Sequence, residues 1–262
     1  MDYSRSAPIA PQLRGSVTID NGSSLTLAVF TRTDFTTMII VHHLEHSRSQ
    51  RILWLLEELG ADYEIKRYRR DPKTSLAPKS LKKIHPLGKS PVISDGETTI
   101  AESATIIEYL ARTHGDGTWA PAIDGPDYWS FSYWMHYAEG SLMPPLLLKL
   151  VFDKVRTGPM PFFIKPIARA IADRVDAQFI DDQIRTHFGF VDQHLADRDW
   201  FLGDSISAAD IQMSFPLEAA LARGTIGDDY PNVAAYVERF QARDAYLRAL
   251  DKGGDYDYGP AG

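Results

Sequence analysis

Apolar and polar positions change rhythm twice along the chain. From Met38 a short apolar run, Ile39-Ile40-Val41, passes through a polar turn at residues 42–50 into Arg51-Ile-Leu-Trp-Leu-Leu-Glu-Glu-Leu-Gly60. The run predicts a strand over 39–43; the helical spacing that follows predicts a helix over 49–60, with Gly60 as its C-terminal cap. Tyr63–Tyr68 reads as a short edge strand with Lys66, Arg67 and Arg69 exposed, and 75–84 as a short polar helix closed by His85-Pro86-Leu87-Gly88. Segments 91–94 and 98–100 flank Asp95-Gly96, a hairpin signal. Residues 102–113 read as a helix with Ile106, Ile107 and Leu110 on one face. The order βαβαββα is that of a small α/β domain with a mixed sheet.

The second rhythm begins after residues 115–126, a Gly-, Asp- and Pro-rich linker. No strand pattern follows. Residues 128–155 predict a long helix bent near Met143-Pro144-Pro145. Residues 163–195 carry helical spacing through Ile180, Ile184, Phe188, Val191 and Leu195, and 207–222 and 232–250 predict two further helices. The fold class expected is therefore α/β followed by all-α, divided into 38–119 and 120–262. Residues 1–37, rich in Ser, Thr, Gly and Pro, show only a short apolar stretch at 25–30 and no signal-peptide pattern. They read as a poorly ordered extension without a chemical role, or as sequence upstream of a start at Met38.

Composition narrows the function classes. In 262 residues, 44% are hydrophobic and 24% charged, as in an ordinary globular protein able to bury a sizeable core. The net charge of −7, from 28 basic and 35 acidic residues, argues against nucleic acid as a partner. No apolar run has the length of a membrane span. Cysteine is absent, so there is no disulfide framework, thiolate metal site or Cys nucleophile. A cytoplasmic location fits, and any thiol chemistry requires a thiol that arrives with a ligand.

Three short motifs carry candidate chemistry. The first is the N-terminus of the 49–60 helix, where unpaired N–H groups and the positive end of the macrodipole favour an anion. Ser47 stands just ahead of it; its everyday role there is to satisfy backbone donors, and its alternative role is to donate to a ligand anion. Ser49 directly precedes the periodic run and is the expected cap, which leaves Ser47 to point outward. No Gly-x-Ser-x-Gly elbow makes either serine a nucleophile. The second motif is Lys89-Ser90-Pro91, where a cis Ser90–Pro91 bond would turn the Ser90 main chain toward a peptide-like ligand. The third is Glu102-Ser103 at a helix start: Glu102 suits an ammonium, Ser103 and the helix terminus a carboxylate, and Lys89 a second carboxylate. Outside these, Ser207-x-x-Asp210 between Ile206 and Ile211 reads as a capping box with a hydrophobic staple, a folding role. His42, His43 and His46 do not predict a metal site, because adjacent strand residues face opposite ways.

Taken together, the Ser-Arg-Ser-Gln-Arg-Ile-Leu-Trp stretch at 47–54, Gly-Lys-Ser-Pro at 88–91 and Ala-Glu-Ser at 101–103 resemble the glutathione transferase family, in particular its serine-type bacterial and fungal branch. The resemblance covers about residues 39–250 and implies a thioredoxin-like N-terminal domain followed by an all-helical C-terminal domain. It implies that Ser47 hydrogen-bonds the glutathione sulfur, with Ser49 as its rival. Lys89, Ser90 and Pro91 then meet the glycyl carboxylate and cysteinyl backbone, and Glu102 and Ser103 hold the γ-glutamyl head group. His85 stands where many relatives have Asn. The helix at 128–137 would lie beside the cleft, making Tyr133, His136, Tyr137, Gly140 and Ser141 candidates for an apolar co-substrate pocket. The implied activity is a detoxifying conjugation of glutathione to small electrophiles, in a homodimer, with glutathione as co-substrate and no metal or other cofactor. A glutathione-dependent peroxidase and a glutathione-binding or scaffold protein with weak catalysis are the alternatives.

Overall fold

The computed structural model describes residues 38–260; the expectations for residues 1–37 lie outside them. Four strands form one mixed sheet in the order β2-β1-β3-β4. The apolar run becomes β1 (Ile39–Leu44), parallel to β2 (Tyr63–Tyr68) and antiparallel to β3 (Val92–Asp95), which pairs antiparallel with β4 (Thr98–Ala101). Parallel neighbours need a crossover, and α1 (Ser49–Leu59) supplies it. Its Ile52, Leu53, Trp54, Leu55 and Leu56 are all fully buried, because the sheet lies against one side and helices of the second half against the other. Gly60 closes α1 at φ 61, a left-handed conformation that glycine adopts without a Cβ clash.

The hairpin forms as expected, with Asp95 paired to Thr98 and Gly96 at φ 57. The helix α2 (Ser103–Thr113) buries Ile106, Ile107 and Leu110. The short helix expected over 75–84 is instead only a 3-10 turn at Lys79–Lys83. Asp71 binds the backbone N–H groups of Lys73 and Thr74, and Pro78 holds an extended conformation, so helix cannot start before Lys79.

The remainder is helical: α3 (Tyr128–Tyr137), α4 (Met143–Thr157), α5 (Lys165–Val175), α6 (Asp181–His194), α7 (Ala208–Ala222), α8 (Pro231–Gln241) and α9 (Asp244–Gly253). The bend expected near Pro144 is a π-helical turn, Ala138–Leu142, between α3 and α4. Prolines carry no N–H, and the hydrogen-bond ladder slips to a wider register just ahead of them. A second π turn, Asp176–Ile180, divides the periodic stretch 163–195. The single helix expected over 232–250 is two, broken where Arg243 turns extended and reaches Glu58 on α1 at 2.9 Å. The expected capping box opens α7: Ser207 accepts the Ala209 N–H, and Asp210 accepts the Ser207 N–H at 2.8 Å. Fully buried Asp210 also accepts from Phe201 N and the Tyr236 hydroxyl, tying α7 to its neighbours.

Candidate active site

Topology gathers the three motifs on one edge. β1 ends at Leu44, β3 begins beside it, and β4 ends opposite the start of β3, since Val41 pairs with Ile93 and Val92 with Ala101. Ser47, Ser90–Pro91 and Glu102–Ser103 therefore follow one another along the strand ends β1, β3 and β4, at a spacing of about 4.8 Å per strand. The N-termini of α1 and α2 open at the same edge, so two helix dipoles present their positive ends there.

At the β1 end, Ser47 is 6% exposed. Its hydroxyl donates to the Leu44 carbonyl at 2.7 Å, lies 2.8 Å from the Ser49 hydroxyl and accepts the Ser49 N–H at 3.2 Å. The expectation that Ser47 points outward is thus corrected: in this structure the hydroxyl is folded back on its own turn. Ser49 is not the cap either. The cap position is Arg48, without a side-chain hydrogen bond, while the Ser49 hydroxyl accepts the Leu44 N–H and lies 2.9 Å from His43 Nδ1. Burial and the nearby Arg67 lower His43 to a pKa of about 4, so its ring is neutral. His46, at φ 47, leads into Ser47 and is held by Arg70, which donates to its carbonyl, and by Asp257, whose N–H donates to its ring.

At the β3 start the Ser90–Pro91 bond is cis, the sharper reading of that motif, and the Ser90 hydroxyl donates to the His42 carbonyl at 3.0 Å. Lys89 is exposed. At the β4 end Glu102 has φ 73 and ψ 124, a left-handed value unusual for a residue with a side chain. Glu102 occupies the cap position of α2 without making a side-chain cap, so its exposed carboxylate is left to other partners. Ser103 behind it is 5% exposed.

The helical half contributes a cavity of about 470 Å³ that all five expected pocket residues line: Tyr133, His136, Tyr137, Gly140 and Ser141. Trp129 and Ser132 complete the lining. Sequence reasoning missed both, although Trp129 precedes Tyr133 by four positions and so shares its helix face. The Tyr133 and Tyr137 rings stack at 5.4 Å. The Tyr137 hydroxyl lies 2.6 Å from His187 Nδ1, and burial raises the phenol above its ordinary range.

One carboxylate joins the cavity wall to the serine turn. Glu139, in the π turn, receives Arg48 Nε at 2.9 Å and Arg51 at 2.5 Å. Burial works against its charge, but Arg51 and Arg48 outweigh it and hold the carboxyl below its usual range. Arg51 also donates to the Gln212 carbonyl and is 2% exposed. None of these three was singled out from the sequence. The available signal was two cations in the first turn of a helix, against the macrodipole, which calls for a distant anion.

Comparison with known proteins bears on the fold and the family. Residues 36–112 match the family model of the glutathione S-transferase N-terminal domain, and 168–239 that of a C-terminal domain of the same family. Glutathione S-transferase 1 of Saccharomyces cerevisiae is 36% identical over 223 residues, covering 82% of this chain and 95% of that protein. Glutathione S-transferase 3 of Schizosaccharomyces pombe is 35% identical over 215 residues, covering 82% and 88%. The crystal structure of a glutathione S-transferase from Actinobacillus pleuropneumoniae superposes with a TM-score of 0.69 at 34% identity, covering 85% of this chain and 94% of that one. The expected thioredoxin-like domain followed by a helical domain is thereby borne out, and the chain belongs to the glutathione S-transferase family.

Proposed function

We propose that this glutathione transferase lays glutathione across the ends of β1, β3 and β4 in the cytoplasm and conjugates its sulfur to a small, largely apolar electrophile. The observation that carries the reading is the alignment of Ser47, Ser90–Pro91 and Glu102–Ser103 along three successive strand ends. An extended tripeptide spans roughly 10 Å, about the width of three strands. Glu102 faces the γ-glutamyl ammonium, and Ser103 with the α2 terminus the adjoining carboxylate. The Ser90 main chain pairs with the cysteinyl residue, and Lys89 meets the glycyl carboxylate. The thiol then falls at the Ser47 turn.

A free cysteine thiol with a pKa of ~8.5 is mostly protonated at neutral pH. Lowering it by ~2 units requires about 2.7 kcal/mol of preference for the thiolate. The Ser47 hydroxyl hydrogen rotates from the Leu44 carbonyl to the sulfur, and one charge-assisted hydrogen bond beside a helix terminus is of that order. The thiol proton leaves to solvent. The thiolate attacks the electrophilic carbon in the cavity beside α3, a C–S bond forms, and the leaving group departs with its electron pair.

Conjugation of a chloronitrobenzene and reduction of cumene hydroperoxide, each measured for wild type, Ser47→Ala and Ser49→Ala, test this. Ser47→Ala should still bind glutathione but conjugate on the order of 100-fold more slowly at neutral pH, the thiolate fraction lost with a ~2-unit rise. Full rates in both variants would sink the mechanism. Hydroperoxide turnover exceeding conjugation favours the peroxidase, and glutathione binding with neither reaction favours the binding or scaffold protein. A homodimer completes the reading; exposed Leu147, Val151, Phe163, Ile167 and Ile171 on and between α4 and α5 support an apolar contact with a second copy. A monomer in sedimentation velocity at micromolar concentration removes that element.

A further inference from the structure

The cavity beside α3 has a wall made of main chain. Gly140 has no side chain, so what it contributes to the lining is its backbone, and a Cβ built there meets nothing within 4 Å. The π turn leaves that backbone short of donors. In an α-helix the Gly140 carbonyl would accept from residue 144, and in a π-helix from residue 145; both are proline and have no N–H. The N–H of Met143, three residues ahead, goes to the Ala138 carbonyl. The Gly140 carbonyl therefore has no donor from its own helix, an acceptor beside a cavity that a ligand can fill.

A second polar group stands one turn away. His136 Nδ1 lies 2.7 Å from the Ser132 carbonyl, which can only accept, so a ring hydrogen sits on Nδ1. The remaining wall is aromatic apart from Ser132 and Ser141, and among the described residues no Asp, Glu, Lys or Arg lines it.

We propose that the electrophile held in this cavity carries a hydrogen-bond donor, an N–H or O–H, on its aromatic or apolar frame, and that the Gly140 carbonyl selects for it. The proposal rests on the conjugation reading and adds a substrate class to it. Pro144 is its specificity-determining residue: it touches no substrate, but by lacking an N–H it keeps the Gly140 carbonyl available. Pro144 is exposed and sits in the first turn of α4, a position where alanine is sterically undemanding.

The test compares a primary chloronitrobenzamide with its N,N-dimethyl analogue, two aryl halides of matched reactivity of which only the first donates. After division by the uncatalysed rates, wild type should favour the primary amide about 5-fold in kcat/KM, the worth of roughly one net hydrogen bond. Pro144→Ala restores an N–H four residues ahead of Gly140. It should abolish that preference while conjugation of the dimethyl amide is retained. Gly140→Ala adds a methyl to open space and should slow both amides alike, which separates loss of room from loss of the acceptor. Equal wild-type rates for the two amides, or a preference that survives Pro144→Ala, overturns the proposal while leaving conjugation intact. Failure to conjugate either amide or a plain chloronitrobenzene overturns the underlying reading instead. Should Pro144→Ala not fold, Pro145→Ala, which restores the donor five residues ahead, carries the same expectation.

Discussion

The sheet edge and the cavity wall are built in opposite ways. The edge presents its groups through features that a few neighbouring residues set: a serine turn after a strand, a cis Ser90–Pro91 bond, and a left-handed Glu102 opening a helix. The wall depends on helix packing, on a slipped hydrogen-bond register at Ala138–Leu142, and on an ion pair between residues far apart in sequence. On the proposed reading the contrast would suit the two ligands: a constant peptide at main chain held at strand spacing, and a variable co-substrate at side chains and one carbonyl whose positions a small change in helix register can move.

Breaking the joint between the regions should have the largest effect. Glu139→Ala leaves Arg51 buried without its counter-ion; the side chain of Arg51 is 1% exposed and that of Glu139 34%. Removing one partner of a fully buried pair costs 3–5 kcal/mol, and the partial exposure of Glu139 reduces this to about 2 kcal/mol. Denaturant unfolding measures it, and an unchanged midpoint would mean that the regions do not depend on this carboxylate.

A smaller effect sharpens the contrast itself. Lys89→Ala should raise KM for glutathione about 3- to 5-fold whatever the electrophile, as loss of an exposed charge contact would. Trp129→Ala should raise KM for an aromatic electrophile by a similar factor and leave that for glutathione in place. Steady-state kinetics with both substrates varied reads both, and a crossed pattern would merge the two regions into one.

A third change, away from both regions, serves as a control. Glu218 on α7 is 2% exposed, and accepts from the Tyr246 hydroxyl at 2.8 Å and from that of Tyr256. Burial raises its pKa to about 7, against the hydrogen bonds that lower it. An unfolded glutamate titrates near ~4.3, so the folded state holds this proton more tightly. Its stabilising contribution is complete below ~4.3 and is lost as pH rises through about 7. Glu218→Gln should flatten stability against pH within that window and leave glutathione kinetics unchanged; an unaltered slope between those limits would refute it.

Much of the edge was legible because its signals act over a few residues. Gly60 marked the end of α1 and Asp95-Gly96 the hairpin, while Ser90-Pro91 allowed a cis bond without requiring it. The same local rules misread Ser49: its hydroxyl turns to Leu44 and His43 because a neutral, buried ring lies within 2.9 Å, a fact of the strand it packs on. They also overextended the helix at 75–84, where the Asp71 turn and Pro78 outcompete helical spacing, and the one at 232–250, where Arg243 leaves the helix for Glu58.

The sequence by itself determined the two-part architecture, the three motifs and their order along the strand ends. Hydrophobic period and turn chemistry are properties of adjacent residues and survive in any context. It also contained the prolines that withhold donors from Gly140, though not the π turn they sit beside. Tertiary structure alone decided that Glu139 meets Arg48 and Arg51, and that Arg243 leaves its helix for Glu58. Such contacts form only when packed helices and the sheet bring distant residues within hydrogen-bond or van der Waals range, and no local pattern encodes that distance.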